Sequence, residues 1–587
     1  MKKYKSLISV ILALFCTFVL SFGYIIGENP LVQSDNIISV IIFILFIKLF
    51  YEALKCNELR AYVISIFTGF ILSSAMCIGA EFVSVGKVSF GSFRIYLNIL
   101  GLMMVFAALI ILLFMNLSKI NEGLKNISSV KIFDKINPGV KTTVIFILIF
   151  LVCWIPLYLA VFPGNFTYDG PIQIEQFFGD GILNQHHPIM HTLFLSGCVY
   201  IGNLIFGSYA VGLAIYSWLQ AIIIAISFAY MCNFMLKCKV PKILVILSMI
   251  FLTFNPIIQL FVFTTAKDVP FGSFMLLLAI FTIELIQNPE KFYNSKLLMV
   301  RYVLTVLLMS FMRKQGIYVF ILLIPVLIWI ERKQWIKTIV ISLVSIICVF
   351  TFFGPIASLM NALPSPSTEA LSVPFQQIAR VMNINPDSVT EEEKEVVYKF
   401  IDKDAFGGYI PQISDPVKDK VNREALESNK GEFIKIWLKL GVKNVDLYIQ
   451  SFLYGTVGYF YPSVDTIHEW SVMMNPYTSA SVQILSNPIL PRYHNLLYNI
   501  GHTFLNKIPI ASTLVCEALP FWVLVISTAI LIYKRNYSML AIVFFLFVFW
   551  STLLLGPVVC IRYIYPLFIC IPLMVAMPYF KVSRGIE

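Results

Sequence analysis

The sequence predicts a mainly α-helical, polytopic membrane protein of about 14 spans, with a mostly helical extracellular domain set late in the chain. Three observations carry this reading. The chain is 59% hydrophobic and only 13% charged, with a mean hydropathy of +0.84. Apolar runs of about 20 residues recur, the length a helix needs to cross a bilayer. Lys and Arg gather in alternate loops, as they do on the cytoplasmic side of membrane proteins. The net charge of +11 therefore marks orientation and gives no reason to expect a nucleic-acid partner. The 11 cysteines are scattered, mostly within apolar runs, with no CxxC pair. That predicts free, buried thiols and neither a disulfide framework nor a zinc knuckle.

The first unit covers residues 1–142. MKKYKSLISVILALFCTFVLSFGYII starts basic and stays apolar for too long to be a signal h-region, which predicts an uncleaved span with a cytoplasmic N-terminus. Spans at about 37–54, 61–78 and 94–117 bring the chain back inside. The loop that follows holds Lys119, Lys125, Lys131, Lys135 and Lys141 against only Glu122 and Asp134, as a cytoplasmic loop should.

Residues 143–355 form the second unit. A span at 143–162 leads into the loop 162–191, FPGNFTYDGPIQIEQFFGDGILNQHHPIMH, which falls outside. The apolar stretch 189–206 could cross or lie along the interface. The charge rule favours the second, because otherwise Lys237, Lys239 and Lys242 would face outward. Cytoplasmic turns then contain KCKVPK, NPEKFYNSK, ERKQWIK and YKRN, while external turns contain Lys267–Asp268, Arg313–Lys314 and Arg562. The third unit, 356–516, is rich in Pro, Asn and charge and lies outside, over the same face. Thr390 followed by Glu393 reads as a capping box opening one of its helices. Residues 517–587 return to the membrane and end in the cytoplasm. The expected location is the cell membrane.

Four external features could carry chemistry. Asp169, beside Tyr168 and Gly170, is placed to take a proton from a hydroxyl, and partial burial would raise its pKa and strengthen it as a base. The alternative is an Asx turn in a YDGP sequence. His186 and His187 precede Pro188, and His187 and His191 stand four residues apart. Three roles stay open for them: a divalent metal site, contact with a phosphate or sugar hydroxyl, or the start of an interfacial helix. Lys267, Arg313, Lys314 and Arg562 sit at outer span ends, where cations are costly unless paired or solvated. Their natural ligand is the phosphate of a membrane-embedded lipid. Gln376, Gln377 and Arg380 in SVPFQQIARVM make a polar helical patch, either substrate-facing or a solvated helix face.

In these residues the chain resembles the GT-C superfamily of membrane glycosyltransferases, and most nearly a family of large Gram-positive bacterial membrane proteins related to that superfamily. The pieces that carry the resemblance are FPGNFTYDGPIQ, HHPIMHTLF, TTAKDVPFG, MRKQGIYVF, VPFQQIARVM, YGTVGYFYP and IRYIYPLF, from about residue 143 onward. The resemblance implies a GT-C-like fold. It also implies transfer, with inversion, of a sugar from a polyprenyl-phosphate donor to a cell-surface glycan, lipid or protein on the outer face. Asp169 would be the base. Lys267, Arg313, Lys314 and Arg562 would hold the departing phosphate. Tyr168, His186, His187, Gln376, Gln377 and Arg380 would contact substrate. The superfamily's carboxylate often belongs to an acidic pair, whereas here Gly170 follows Asp169, which leaves open whether Glu175 or Asp268 supplies a second carboxylate. No GxGxxG or Walker A pattern is present, consistent with a lipid-linked donor. Rival readings are a flippase or transporter, or a polymerase or ligase, of lipid-linked oligosaccharide.

Overall fold

The computed structural model describes residues 2–21, 37–131, 134–167, 169–462, 477–479, 481–499 and 512–581. These residues are mainly helical. Their only strands are Tyr477–Thr478 and Gln483–Ile484, paired antiparallel. Through the first two-thirds of the chain the helices run α1 (Lys2–Val19), α2 (Ile37–Ala53), α3 (Leu59–Val85), α4 (Phe93–Ser128), α5 (Val140–Ala160), α6 (Gly170–Phe178), α7 (Ile189–Phe206) and α8 (Tyr209–Lys237). They continue as α9 (Lys242–Phe254), α10 (Pro256–Val262), α11 (Asp268–Gln287), α12 (Pro289–Tyr293), α13 (Lys296–Met312), α14 (Gln315–Ile330) and α15 (Trp335–Thr351).

Eight described helices are long and apolar enough to cross a membrane: α3, α4, α5, α7, α8, α11, the run Arg332–Leu359 that contains α15, and Ile561–Tyr579. The pair α9 and α10, bent by 57°, would make a ninth, and four shorter apolar helices accompany them. The sequence-based figure of about 14 spans counted these shorter apolar segments with the long ones. α7, expected not to cross, is one unbroken helix of 18 residues that meets the length and hydropathy requirement. Apolar side chains also face outward in stripes. On α5, Val144, Leu148, Val152 and Ile155 are exposed at helical spacing, as on a lipid-facing surface.

The bundle is built around α11. Its sequence, DVPFGSFMLLLAIFTIELIQ, is apolar on every face, and such a helix is stable only inside. It packs against α8, α13 and the helix Ile561–Phe568. Gly272 permits the last of these contacts, since a Cβ there would lie 3.1 Å from Pro566 Cα. Burying α11 fixes the place of its first residues, and Lys267 and Asp268 stand at its N-terminal end.

α1 and α2 rest on α4 through a small core that includes Cys16, Phe46, Phe50 and Leu102. α3 and α4 also reach the main core, through Phe82 and Ile95 beside Phe150 and Tyr461, so residues 1–142 are not a detached bundle. The polar unit has its own core, with Phe375, Ile378, Val397, Phe400, Phe433 and Leu440 at its centre. The expected capping box is present at Glu391–Phe400, with both Thr390 and Glu393 bonds formed. This unit docks on the segment that leads into Arg562: Ser414 N donates to Pro557 O at 2.8 Å, and Tyr459 OH to Val558 O at 3.3 Å. All 11 cysteines are free.

Candidate functional site

The site is assembled from helix ends. The segment after α5 lies alongside the segment before α11, where Asn165 and Thr264 form a parallel bridge. Asn165 N donates to Phe263 O at 2.8 Å, Thr265 N to Asn165 O at 3.0 Å, and Asn165 Nδ2 to Thr264 Oγ1 at 2.9 Å. Thr265 Oγ1 accepts from Thr167 N at 3.0 Å. These bonds satisfy buried backbone groups that would otherwise be costly. They also bring Asp169, just before α6, to Lys267, just before α11.

Gly170 has a steric cause. A Cβ at that position would stand 2.6 Å from Thr265 Oγ1 and 3.1 Å from Thr265 Cβ. An acidic residue cannot follow Asp169 without moving Thr265, which accounts for the missing acidic pair. Asp268, on the adjoining helix end, is a carboxylate that shares the same group of cations.

Asp169 Oδ2 lies 2.7 Å from Lys267 Nζ, 3.3 Å from Arg562 Nη1 and 3.6 Å from His187 Nδ1. Asp268, fully buried, pairs instead with Arg313. The two pairs are therefore crossed between helices, where sequence proximity alone suggested Lys267 with Asp268. Tyr563 joins them: its ring lies 4.9 Å from the Arg313 guanidinium and 4.8 Å from that of Arg562. Lys314 Nζ donates to Gln185 Oε1 at 2.9 Å and lies 5.2 Å from the Phe353 ring. Thus Asp169, Lys267, Arg313, Arg562 and His187 share one site, and Lys314 ties its rim to the histidine loop.

One expectation is reversed. Burial by itself would raise the Asp169 pKa, but Lys267, then Arg562 and His187, outweigh it and hold the carboxyl well below the usual range. Asp169 is thus a fully ionised but weak base as it stands. Burial, with His187 and Lys267 nearby, lowers the neighbouring His186 to about 4.

The histidines divide. Pro188 is the N-cap of α7, so His187 lies outside the helix while His191 lies within it. Both ring nitrogens of His191 are engaged, with Gln173 Oε1 at 3.0 Å and Tyr216 OH at 2.9 Å. Tyr216 OH donates to Gln220 Oε1 at 2.7 Å, and Gln220 Nε2 donates to Thr264 O at 2.9 Å. His191 is therefore part of a buried relay that braces α6 and α7 against α8 and the strand-like 264–265 segment. It has no nitrogen left for a metal, and the cations around Asp169 disfavour one there. Among the described residues no group of three or more His, Cys, Asp or Glu is placed to hold a metal ion.

Gln376, Gln377 and Arg380 are buried, not on a solvated helix face. Gln376 Nε2 donates to Ile410 O at 2.9 Å and Gln377 Nε2 to Tyr448 O at 3.2 Å, while Arg380 Nη2 donates to Gln450 Oε1 at 2.9 Å. These bonds hold the polar unit together, and none reaches the Asp169 cluster. Tyr168 lies outside the described residues. The sequence reading passed over Asn165, Thr265, Gln173, Tyr216 and Gln220. Gln220 carried a usable signal, as an amide in the apolar run of α8 must find partners.

A family model described as a family of unknown function, DUF6020, matches residues 178–585. The chain belongs to the DUF6020 family. No curated protein and no solved structure matches it. The DUF6020 match takes in His186, His187, Lys267, Asp268, Arg313, Lys314 and Arg562, and begins past Asp169 and Gly170. The GT-C resemblance was read from further upstream, at about residue 143.

Proposed function

We propose that this DUF6020 protein transfers a sugar from a polyprenyl-phosphate-linked donor to an acceptor hydroxyl, with Asp169 as general base. The observation that carries the proposal is the Asp169 carboxylate held between Lys267 and Arg562, at 2.7 and 3.3 Å, where apolar helices end. With Arg313 and Lys314 nearby, the cations outnumber the two carboxylates, which suits an anionic phosphate. The proposed orientation puts this end on the outer face of the cell membrane, with both termini in the cytoplasm. The GT-C-like fold is part of the same proposal.

In the reaction, the acceptor oxygen attacks the anomeric carbon and the bond to the phosphate oxygen breaks. The electron pair leaves with the phosphate, where Lys267, Arg313, Arg562 and Lys314 stabilise the growing charge. The acceptor proton passes to Asp169. The low basicity of resting Asp169 fits this sequence of events. A bound phosphate competes for Lys267 and Arg562, withdraws them from the carboxylate and raises its pKa, so the base strengthens when the donor arrives. No metal is required by this arrangement.

A transporter of lipid-linked oligosaccharide would place its charged groups near the bilayer midplane. Here they stand at helix ends, which favours transfer over transport. The test is Asp169→Asn in isolated membranes supplied with a polyprenyl-phosphate sugar. Insertion should be normal and transfer abolished; normal transfer by this variant would sink the assignment. Cysteines placed near Asp180 and Glu391 should react with an impermeant reagent in intact cells, and reaction only after permeabilisation would reverse the orientation.

A further inference from the structure

A charged cavity lies at the end of the bundle opposite the Asp169 cluster. α11 runs from Asp268 to Gln287, about 30 Å at 1.5 Å per residue, and α13 returns toward Arg313. Between the far ends of α8, α11 and α13 is a cavity of about 360 Å³ whose lining includes Lys237, Lys291, Arg301, Glu284 and Tyr230. That volume is in the range that holds a small ligand.

Arg301 is held rigidly there. Its guanidinium stacks 3.8 Å from the Phe281 ring centre, Nη1 donates to Tyr230 OH at 3.1 Å, and Nη2 pairs with Glu284. Tyr230 OH in turn donates to Glu284 Oε1 at 2.7 Å. Arg301 Nε is buried and has no hydrogen-bond partner. A purely structural clasp between α11 and α13 would explain Glu284, Tyr230 and part of Arg301. Beyond that clasp, exposed Lys237 and Lys291 line the same cavity, making three cations against one carboxylate that is already engaged.

We propose that this cavity binds a phosphate group, supplied by an anionic lipid headgroup or by a soluble phosphate ester. The planar guanidinium offers a fixed donor edge, and the two lysines add mobile point charges. Basic recesses between membrane helices at the headgroup level take such groups. The proposal is independent of the sugar-transfer reading and of the orientation of the chain.

The test uses full-length protein in phosphatidylcholine nanodiscs, with phosphatidylglycerol included, with glycerol 3-phosphate added, or with neither. Ligand retention is read by native mass spectrometry and stabilisation by thermal unfolding. Lys237→Gln/Lys291→Gln changes two exposed side chains. The affinity should fall roughly thirtyfold, from two lysines each worth about 1 kcal/mol at a membrane surface. Retention of phosphatidylglycerol alone assigns a lipid ligand, and binding of glycerol 3-phosphate assigns a soluble one. Equal binding by wild type and variant, or no binding of either ligand to wild type, overturns the site.

Discussion

Arg313→Ala offers the sharpest separation of structure from chemistry at the site. Asp268 is fully buried, one of its oxygens is paired with Arg313, and the other is buried without a hydrogen-bond partner. Removing the arginine strands the buried carboxylate, relieved only in part by Arg562 and by its place in the first turn of α11. Breaking a buried pair by deleting one partner costs about 3–5 kcal/mol, and a contact at about 4 Å in a medium of effective dielectric 20 gives a similar figure, about 4 kcal/mol. Arg313→Ala should therefore lower unfolding stability by about that amount. Asp268→Asn in the same chain should recover most of it, to within about 1 kcal/mol of wild type, because the stranded charge is gone. The assay is denaturant or thermal unfolding of the detergent-solubilised full chain, as a double-mutant cycle. Donor binding should behave differently. If Arg313 also holds phosphate, the doubly substituted protein regains stability and stays weak for donor. Strict additivity of the two substitutions in unfolding would refute the pair.

Further predictions concern pH and close packing. His186 is lowered from 6.5 to about 4, so the unfolded chain binds the extra proton first and stability is lost as pH falls from about 6.5 to about 4. His186→Gln should flatten that part of the thermal-unfolding profile; an unchanged slope would place the titration elsewhere. Glu517 runs the other way. Burial raises its carboxyl well above 4.5, so stability declines as pH rises past the unfolded value, and Glu517→Gln, which removes that titration, should raise stability near neutral pH and flatten the decline. A large loss in that variant would mean an ionised, paired Glu517. Gly212→Ala should cost about 1–3 kcal/mol, since its Cβ would meet Val199 Cα at 2.5 Å and Val199 O at 2.6 Å, both backbone atoms. Wild-type melting of this variant would show that α7 and α8 are not in close contact.

Much of this site was legible because charge is scarce in the chain. In a sequence with only 13% charged residues, Asp169, Lys267, Arg313 and Arg562 stood out at the ends of apolar runs. Their convergence follows from membrane geometry, since helices of similar length that begin or end with a charge bring those charges to one level. The pairing was not legible. Lys267 and Asp268 are neighbours in sequence, yet in the helical turn that opens α11 they diverge, one to Asp169 and the other to Arg313. The polar patch Gln376, Gln377 and Arg380 misled for a related reason. Its residues looked solvated in a polar unit, but that unit has a core of its own, and their side chains bond inside it. The brace Gln173–His191–Tyr216–Gln220 joins three helices, and no periodicity within any one of them announces such a bond.

The place of α7 follows from that brace. His191, near the start of α7, bonds to Tyr216, and Gly202 of α7 sits against Gly212, so α7 lies beside the early part of α8. From Gln220, which bonds to Thr264 O at the level of the site, α8 continues to Lys237, and Cys238 then meets Gln287 at the far end of α11. The later part of α8 therefore covers the same depth as α11, some 25–30 Å. The named contacts of α7 fall on the early part of α8. The exposed Leu204, Ile205 and Phe206 of α7 lead to an uncharged turn. Sequence length and hydropathy qualify α7 as a span. Its bonding sets it against α6 and the early part of α8, while the lysines after α8 stand at the end of the bundle opposite the site.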